Sequence, residues 1–202
     1  MIDFAKEFRV ALPAWIDDEL AGVPAVITGR EERMRLVHRL ADRNWREGDG
    51  GPFAALVAER DSGRIVSVGV NLVLASGVSG AHAEVVALGL AQTATGSWDL
   101  GAGGLPAHEL VVNWRPCIQC YGATMWSGVQ GLVVAGEGPE LEELTTFDEG
   151  PVGSDWAEQF ETRGMEVVPD VLRDEALTVF RAYREAVDAG EVTVYNARES
   201  AA

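Results

Sequence analysis

Glu109-Leu110-Val111-Val112-Asn113-Trp114-Arg115-Pro116-Cys117-Ile118-Gln119-Cys120 is the stretch on which the reading of this chain turns. Residues 109–113 suit a short strand. Pro116 stops it, because proline has no N–H to give to a strand ladder. Cys117 and Cys120 then open a segment, 118–127, that suits a helix. The same alternation runs outward in both directions. Upstream, 31–47 reads as a helix with Leu36, Val37, Leu40 and Ala41 on one face. Asp49-Gly50-Gly51-Pro52 breaks it. Residues 53–59 and 65–73 are β-like runs joined by Asp61-Ser62-Gly63, a hairpin signal. A flexible loop over 76–80 leads into a helix over 83–93, apolar nearly all round. Downstream come a buried strand at 131–135, an acidic stretch over 137–149, a helix near 154–162 and a strand near 165–168. A last helix over 171–188 repeats Leu172, Ala176, Val179, Tyr183 and Val187 at three and four. Strands alternating with helices predict a layered α/β domain with a mixed sheet. We divide the chain into an N-terminal extension (1–30), a domain (31–188) and a tail (189–202). The extension has no clear period, and residues 12–16 are read as a short arm over the core. The tail is expected to be mobile or docked on a partner.

With 202 residues, 47% of them hydrophobic, the chain can bury one sizeable core. It has no apolar run of membrane-spanning length and no basic-then-apolar start, so a cytoplasmic protein without a membrane partner is expected. Two cysteines two positions apart make no disulfide framework for so large a domain, which fits a reducing compartment. The formal net charge is −16. Such a chain repels phosphate backbones, and no nucleic-acid partner is expected. The arginines between Arg30 and Arg46 are interleaved with acids and read as a solvated helix face. Lys6 is the only lysine, which excludes Schiff-base and P-loop lysine chemistry from the body of the chain.

The chemistry-bearing residues are few. His82-Ala83-Glu84 opens one expected helix, and Pro116-Cys117-Ile118-Gln119-Cys120 opens another, with Cys117 33 positions beyond Glu84. One imidazole and two thiolates can hold Zn²⁺ on three sides and leave a fourth position for water. Cys117 and Cys120 are three apart, so they share one face of a helical turn. Free N–H groups and the dipole at a helix start favour thiolates. Zinc lowers the pKa of water towards about 7. Glu84 is not needed as a ligand and is placed to take a proton from that water and deliver it to a ring nitrogen and a leaving amine. The order H-x-E then P-C-x-x-C is the signature of zinc-dependent base deaminases. A lone C-x-x-C is often a redox pair or half a structural zinc site, but no second C-x-x-C exists here. His38 and His108 lie outside this pattern and are read as structural or surface residues.

On these motifs the sequence resembles the cytidine deaminase superfamily, and within it the guanine deaminases, over roughly residues 31–188. Gly50-Gly51-Pro52-Phe53, Asn71, His82-Ala83-Glu84-Val85, Pro116 to Cys120, Gly122-Ala123, Trp126 and Phe147-Asp148-Glu149 carry the resemblance. It implies a three-layer α/β/α sandwich with a five-stranded mixed sheet, a homodimer, and a tail that caps an active site. It implies zinc held by His82, Cys117 and Cys120, with Glu84 and Glu149 catalytic. Asn71, Phe53, Trp114, Arg115, Trp126 and the tail's Tyr195 are the expected substrate-binding residues. The expected reaction replaces a ring amino group with oxygen on a guanine-type purine. A nucleoside, a cytosine or cytidine, or a modified base is the alternative, and a non-catalytic zinc module the remaining one. Two departures stand out: Arg115 where the family usually has Glu, and Trp114 where small or polar residues are expected.

Overall fold

The computed structural model describes residues 2–196. Along the chain the elements are α1 (Trp15–Leu20), α2 (Arg30–Glu47), β1 (Ala54–Glu59), β2 (Ile65–Val70), α3 (Val73–Ser76), α4 (Ala83–Thr95), β3 (His108–Val112), α5 (Ile118–Trp126), β4 (Gly131–Val134), α6 (Glu140–Thr145), α7 (Trp156–Glu161), β5 (Glu166–Val168) and α8 (Arg173–Asp188). The strands form one five-stranded sheet in the order β2-β1-β3-β4-β5. β1 is antiparallel to β2 and β3, whereas β3, β4 and β5 run parallel. The hairpin joining β1 and β2 turns on Gly63, at φ 74°, which an L side chain rarely adopts.

The sheet is buried on both faces because its strands alternate. Ala54, Leu56, Ala58, Val111 and Val133 face a core shared with α2, α6 and α8. Ala55, Val57, Leu110, Val112, Leu132 and Val134 face a second core with residues of α4 and α7. The architecture is therefore the expected α/β/α sandwich with a mixed sheet.

Several local expectations need correction. Asn71 and Leu72 leave the sheet and Val73 already opens α3, so β2 is shorter than the expected 65–73. Trp15 and Ile16 are not a mere arm. They lie in a helix and reach the core, and Trp15 Nε1 donates to Asp49 at 2.7 Å. The extension also runs along the hairpin, where Ile27 N–H donates to Gly63 and Ile65 N–H to Ala25, both at 2.9 Å. The acidic stretch contains α6, whose Leu141 is buried while its glutamates point outward. Arg33 breaks the solvated-face reading of α2: it is buried and paired with buried Glu109 at 2.6 Å. The other arginines of α2 do pair with acids at the surface, as Arg39 does with Glu19. His38 and His108 are both buried, so they are structural. No helix of the described residues is long and apolar enough to cross a membrane.

Candidate active site

The two helix starts converge as their sequence positions require. His82 is the N-cap of α4 and Cys117 the N-cap of α5, both in extended backbone, and Cys120 sits one turn into α5. α4 is held hard against β2 at Gly69. A Cβ there would lie 2.3 Å from Ala83 O and 2.5 Å from Ala87 N, so only glycine permits this packing. β3, Trp114-Arg115 and Pro116 deliver Cys117 to the same place, outside the carboxyl end of the strand, where open α/β sheets put their ligands.

His82 Nδ1 lies 3.4 Å from Cys117 Sγ and 3.5 Å from Cys120 Sγ. The three ligand atoms lie within 4.8 Å of one another. Tetrahedral zinc bonds of about 2.0 and 2.3 Å put nitrogen and sulfur roughly 3.6 Å apart. The donor set and its spacing therefore fit zinc. Glu84 is buried, and Cys120 Sγ donates to its Oε2 at 3.2 Å. Burial raises the Glu84 pKa, with the charge of Cys117 adding to it. Cys117 is held down to about 4, first by a hydrogen bond from Cys120 and then by His82. This lowering favours the thiolate form, which is the form that ligates metal.

A cavity of about 390 Å³ opens beside this trio. That is the small end of the range for ligand sites, of base size rather than cofactor size. Phe53, Asn71, Glu84, Trp114, Arg115, Glu149 and Tyr195 all line it. The loop before β1 shapes one side. A Cβ on Gly50 would lie 2.3 Å from Asn71 Oδ1, so the loop can press onto Asn71 only as glycine. Asn44 Nδ2 holds that loop through Gly51 O at 2.9 Å and Asn71 O at 2.8 Å. The tail folds over its own chain's cavity. Tyr195 OH accepts from Gly51 N–H at 3.1 Å and donates to Asn71 Oδ1. Asn196 Nδ2 donates to Thr146 O at 2.8 Å. Residues 197–202 of the expected tail lie outside the described residues.

Glu149 is buried, its carbonyl accepting from Ile118 N–H at 3.0 Å, so the start of α5 and the acidic loop are tied together. Burial pushes its carboxyl well above the usual range, and the charges of Cys117 and Glu84 push the same way. Arg115 opposes them from the same cavity. Trp114 is turned mostly into the core, edge-on to Phe180 at 5.4 Å, with Arg173 stacked over it at 4.8 Å. Its bulk supports the wall from behind.

One expected residue is not there. Trp126 is 81% exposed and does not line the cavity. It ends α5, and nine residues at about 1.5 Å rise carry it some 13 Å from the cysteine end. Sequence reasoning also passed over Phe147 and Asp148, which line the cavity. Both flank Glu149 in the Phe-Asp-Glu element, which was the available signal. Phe147 rests against Phe53 at 5.4 Å and Tyr195 at 4.9 Å, and so joins strand, loop and tail.

Comparison with known proteins agrees with this geometry. The cytidine and deoxycytidylate deaminase zinc-binding region matches residues 28–136. Guanine deaminase of Bacillus subtilis (strain 168) is 30% identical over 154 residues, 76% of this chain and 93% of that protein. The structure of a guanine deaminase from Nitrosomonas europaea has a TM-score of 0.83 at 40% identity, covering 91% of this chain and 99% of that one. A further solved structure, a single-residue variant in complex with 8-azaguanine, has a TM-score of 0.83 at 41% identity, covering 89% and 98%. The chain belongs to the cytidine and deoxycytidylate deaminase zinc-binding family, close to the guanine deaminases.

Proposed function

We propose that the chain hydrolyses the ring amino group of a guanine-type purine base, releasing ammonia. The observation that carries this reading is the His82–Cys117–Cys120 trio with buried Glu84 against it, in a cavity of base size. Guanine deaminases among the similar proteins, and 8-azaguanine bound in one of them, support the choice of base.

His82, Cys117 and Cys120 hold the zinc. Bound there, zinc supplies Lewis acidity that makes water nucleophilic at neutral pH. Glu84 accepts the proton of the attacking water, gives it to the ring nitrogen beside the amino-bearing carbon, and later serves the leaving amine. One water is consumed, the carbon–nitrogen bond breaks, and oxo-purine and ammonia are formed. Glu149, buried and inclined to hold a proton, is a second proton donor on the ring's other flank. Asn71 orients the ring and Phe53 forms a wall. Tyr195 closes the opening and excludes water, which strengthens each polar contact inside. A tail lying over the cavity supports a base over a nucleoside, because a ribose needs room beside the ring.

Ammonia release from guanine, guanosine, cytosine, cytidine and adenine tests this reading. Turnover of guanine with little or none of the others is expected, and no turnover of guanine or a close purine sinks it.

The protein also acts as a homodimer in the cytoplasm. Residues 116–136 carry no charged side chain, although the chain's net charge is −16. Exposed Trp126, at the end of α5, and exposed Trp98, on the loop after α4, lie beside segments joined by Leu100 N–H to Ser127 O at 2.9 Å. An aromatic patch with Asp99 beside it is, on so acidic a molecule, where two copies meet with least repulsion. Light scattering should give twice the chain mass, falling to the monomer in Trp126→Glu. A wild-type monomer overturns the dimer.

A further inference from the structure

Arg115 lines the cavity, and the reaction described above gives it no task. It is the only arginine or lysine lining the cavity among the described residues. Its backbone is fixed, because Arg115 N–H donates to Gly136 O at 2.8 Å and continues the β3–β4 ladder past the strand end. Trp114 before it is locked by Phe180 and Arg173, and Pro116 after it stiffens the chain. The guanidinium is therefore presented from a rigid stretch. Its Nη1 is buried and has no hydrogen-bond partner among the described residues. A guanidinium has five donors in a planar fork and no acceptor, and buried donors are rarely left unpaired.

A ligand that meets the guanidinium where Arg115 lines the cavity must bring acceptors side by side to pair with its planar fork. A phosphate is disfavoured, since the cavity offers a single arginine with Asp148 beside it, on a chain of net charge −16. A neutral purine with an oxo group is favoured. Its O6 and N7 are adjacent acceptors in one plane, matched to the arginine fork, whereas a 6-amino group presents a donor beside N7. Guanine carries its only amino group at C2, across the six-membered ring from that edge. Held by O6 and N7, the ring can offer C2 to the metal trio.

We propose that Arg115 selects 6-oxo over 6-amino purines by donating two parallel hydrogen bonds to O6 and N7. The proposal rests on the guanine-type reading and deepens it. Arg115 is a specificity-determining residue, not one that moves protons.

The test compares guanine with 2,6-diaminopurine, which both carry the reacting C2 amino group, in the zinc-loaded full chain. Products are separated by chromatography, so that loss of the 2-amino group is what is counted. Arg115→Met should lower kcat/KM for guanine roughly tenfold to a hundredfold, mostly through KM, and keep 2,6-diaminopurine within about threefold. Arg115→Gln, whose amide pairs with an amino group and N7 together, should raise the 2,6-diaminopurine to guanine ratio above that of Arg115→Met. The ratio is read within one protein sample, so partial loss of folded enzyme cancels. Equal losses on both bases in Arg115→Met, or no change of ratio in Arg115→Gln, overturn the assignment and leave the guanine reading standing. A wild type that turns over neither base overturns both.

Discussion

Glu84 and His38 are both buried titratable side chains, yet only Glu84 faces the cavity beside the His82–Cys117–Cys120 trio. Glu84 touches Cys120 and faces the cavity. Removing its proton transfer while keeping its shape, as in Glu84→Gln, should lower kcat by about 10²–10⁴ with zinc content unchanged. Ammonia release alongside metal analysis checks this, and retained activity would falsify the assigned role. His38 lies on α2 beside Glu175 of α8, outside the cavity at the trio, and burial lowers its pKa from 6.5 to about 4. The folded value lies below the unfolded one, so the unfolded chain binds more protons between those two pH values. The stability tied to neutral His38 is thus complete above pH 6.5 and is lost as pH falls towards about 4. Urea unfolding should show this loss, roughly 3 kcal/mol in all, and a shallower slope in His38→Gln. At this scale the metal trio was fully legible, because chemistry limits the ligands to His and Cys and the chain has few of either. The burial of His38 and of Arg33 was not, because a polar residue at a core-facing position looks in sequence like any surface residue.

α4 carries both His82 and Glu84, so its seating on β2 sets the geometry of the site. Gly69→Val must push the helix backbone away, since the Cβ position is already occupied by Ala83 O and Ala87 N. A loss of about 1–3 kcal/mol is expected from the overpacking. Zinc affinity, read by competition with a chelator, should fall with it. Unchanged affinity would mean that α4 holds its register independently of β2. Strand and helix order was readable from hydrophobic period. Ends were less so, because Asn71 and Leu72 extend the apolar run of β2 while Asn71 N–H and C=O are already committed to Phe53 and Asn44. α6 escaped notice because its six residues hold one buried Leu141 among glutamates, too short for a period to show.

For the molecule as a whole, two opposing electrostatic facts meet. A net charge of −16 strains the compact state, while the paired Arg33 and Glu109 are buried at the end of the sheet away from the site. Salt screens the first strongly and the second weakly. The melting temperature should therefore rise between low salt and about 0.5 M NaCl, and a fall would show that surface ion pairs outweigh the excess acid. Glu109→Ala should cost about 3–5 kcal/mol in urea unfolding at any salt, because it strands a buried arginine. By itself the sequence determined a layered α/β domain with a mixed sheet and the His/Cys/Cys trio, since period and ligand spacing are local properties of the chain. Only the tertiary structure decided that Tyr195 closes its own cavity, that Trp126 faces away from it, and that Arg115 lines it with a buried donor left over. Those outcomes depend on which distant segments share space, and no local pattern encodes that.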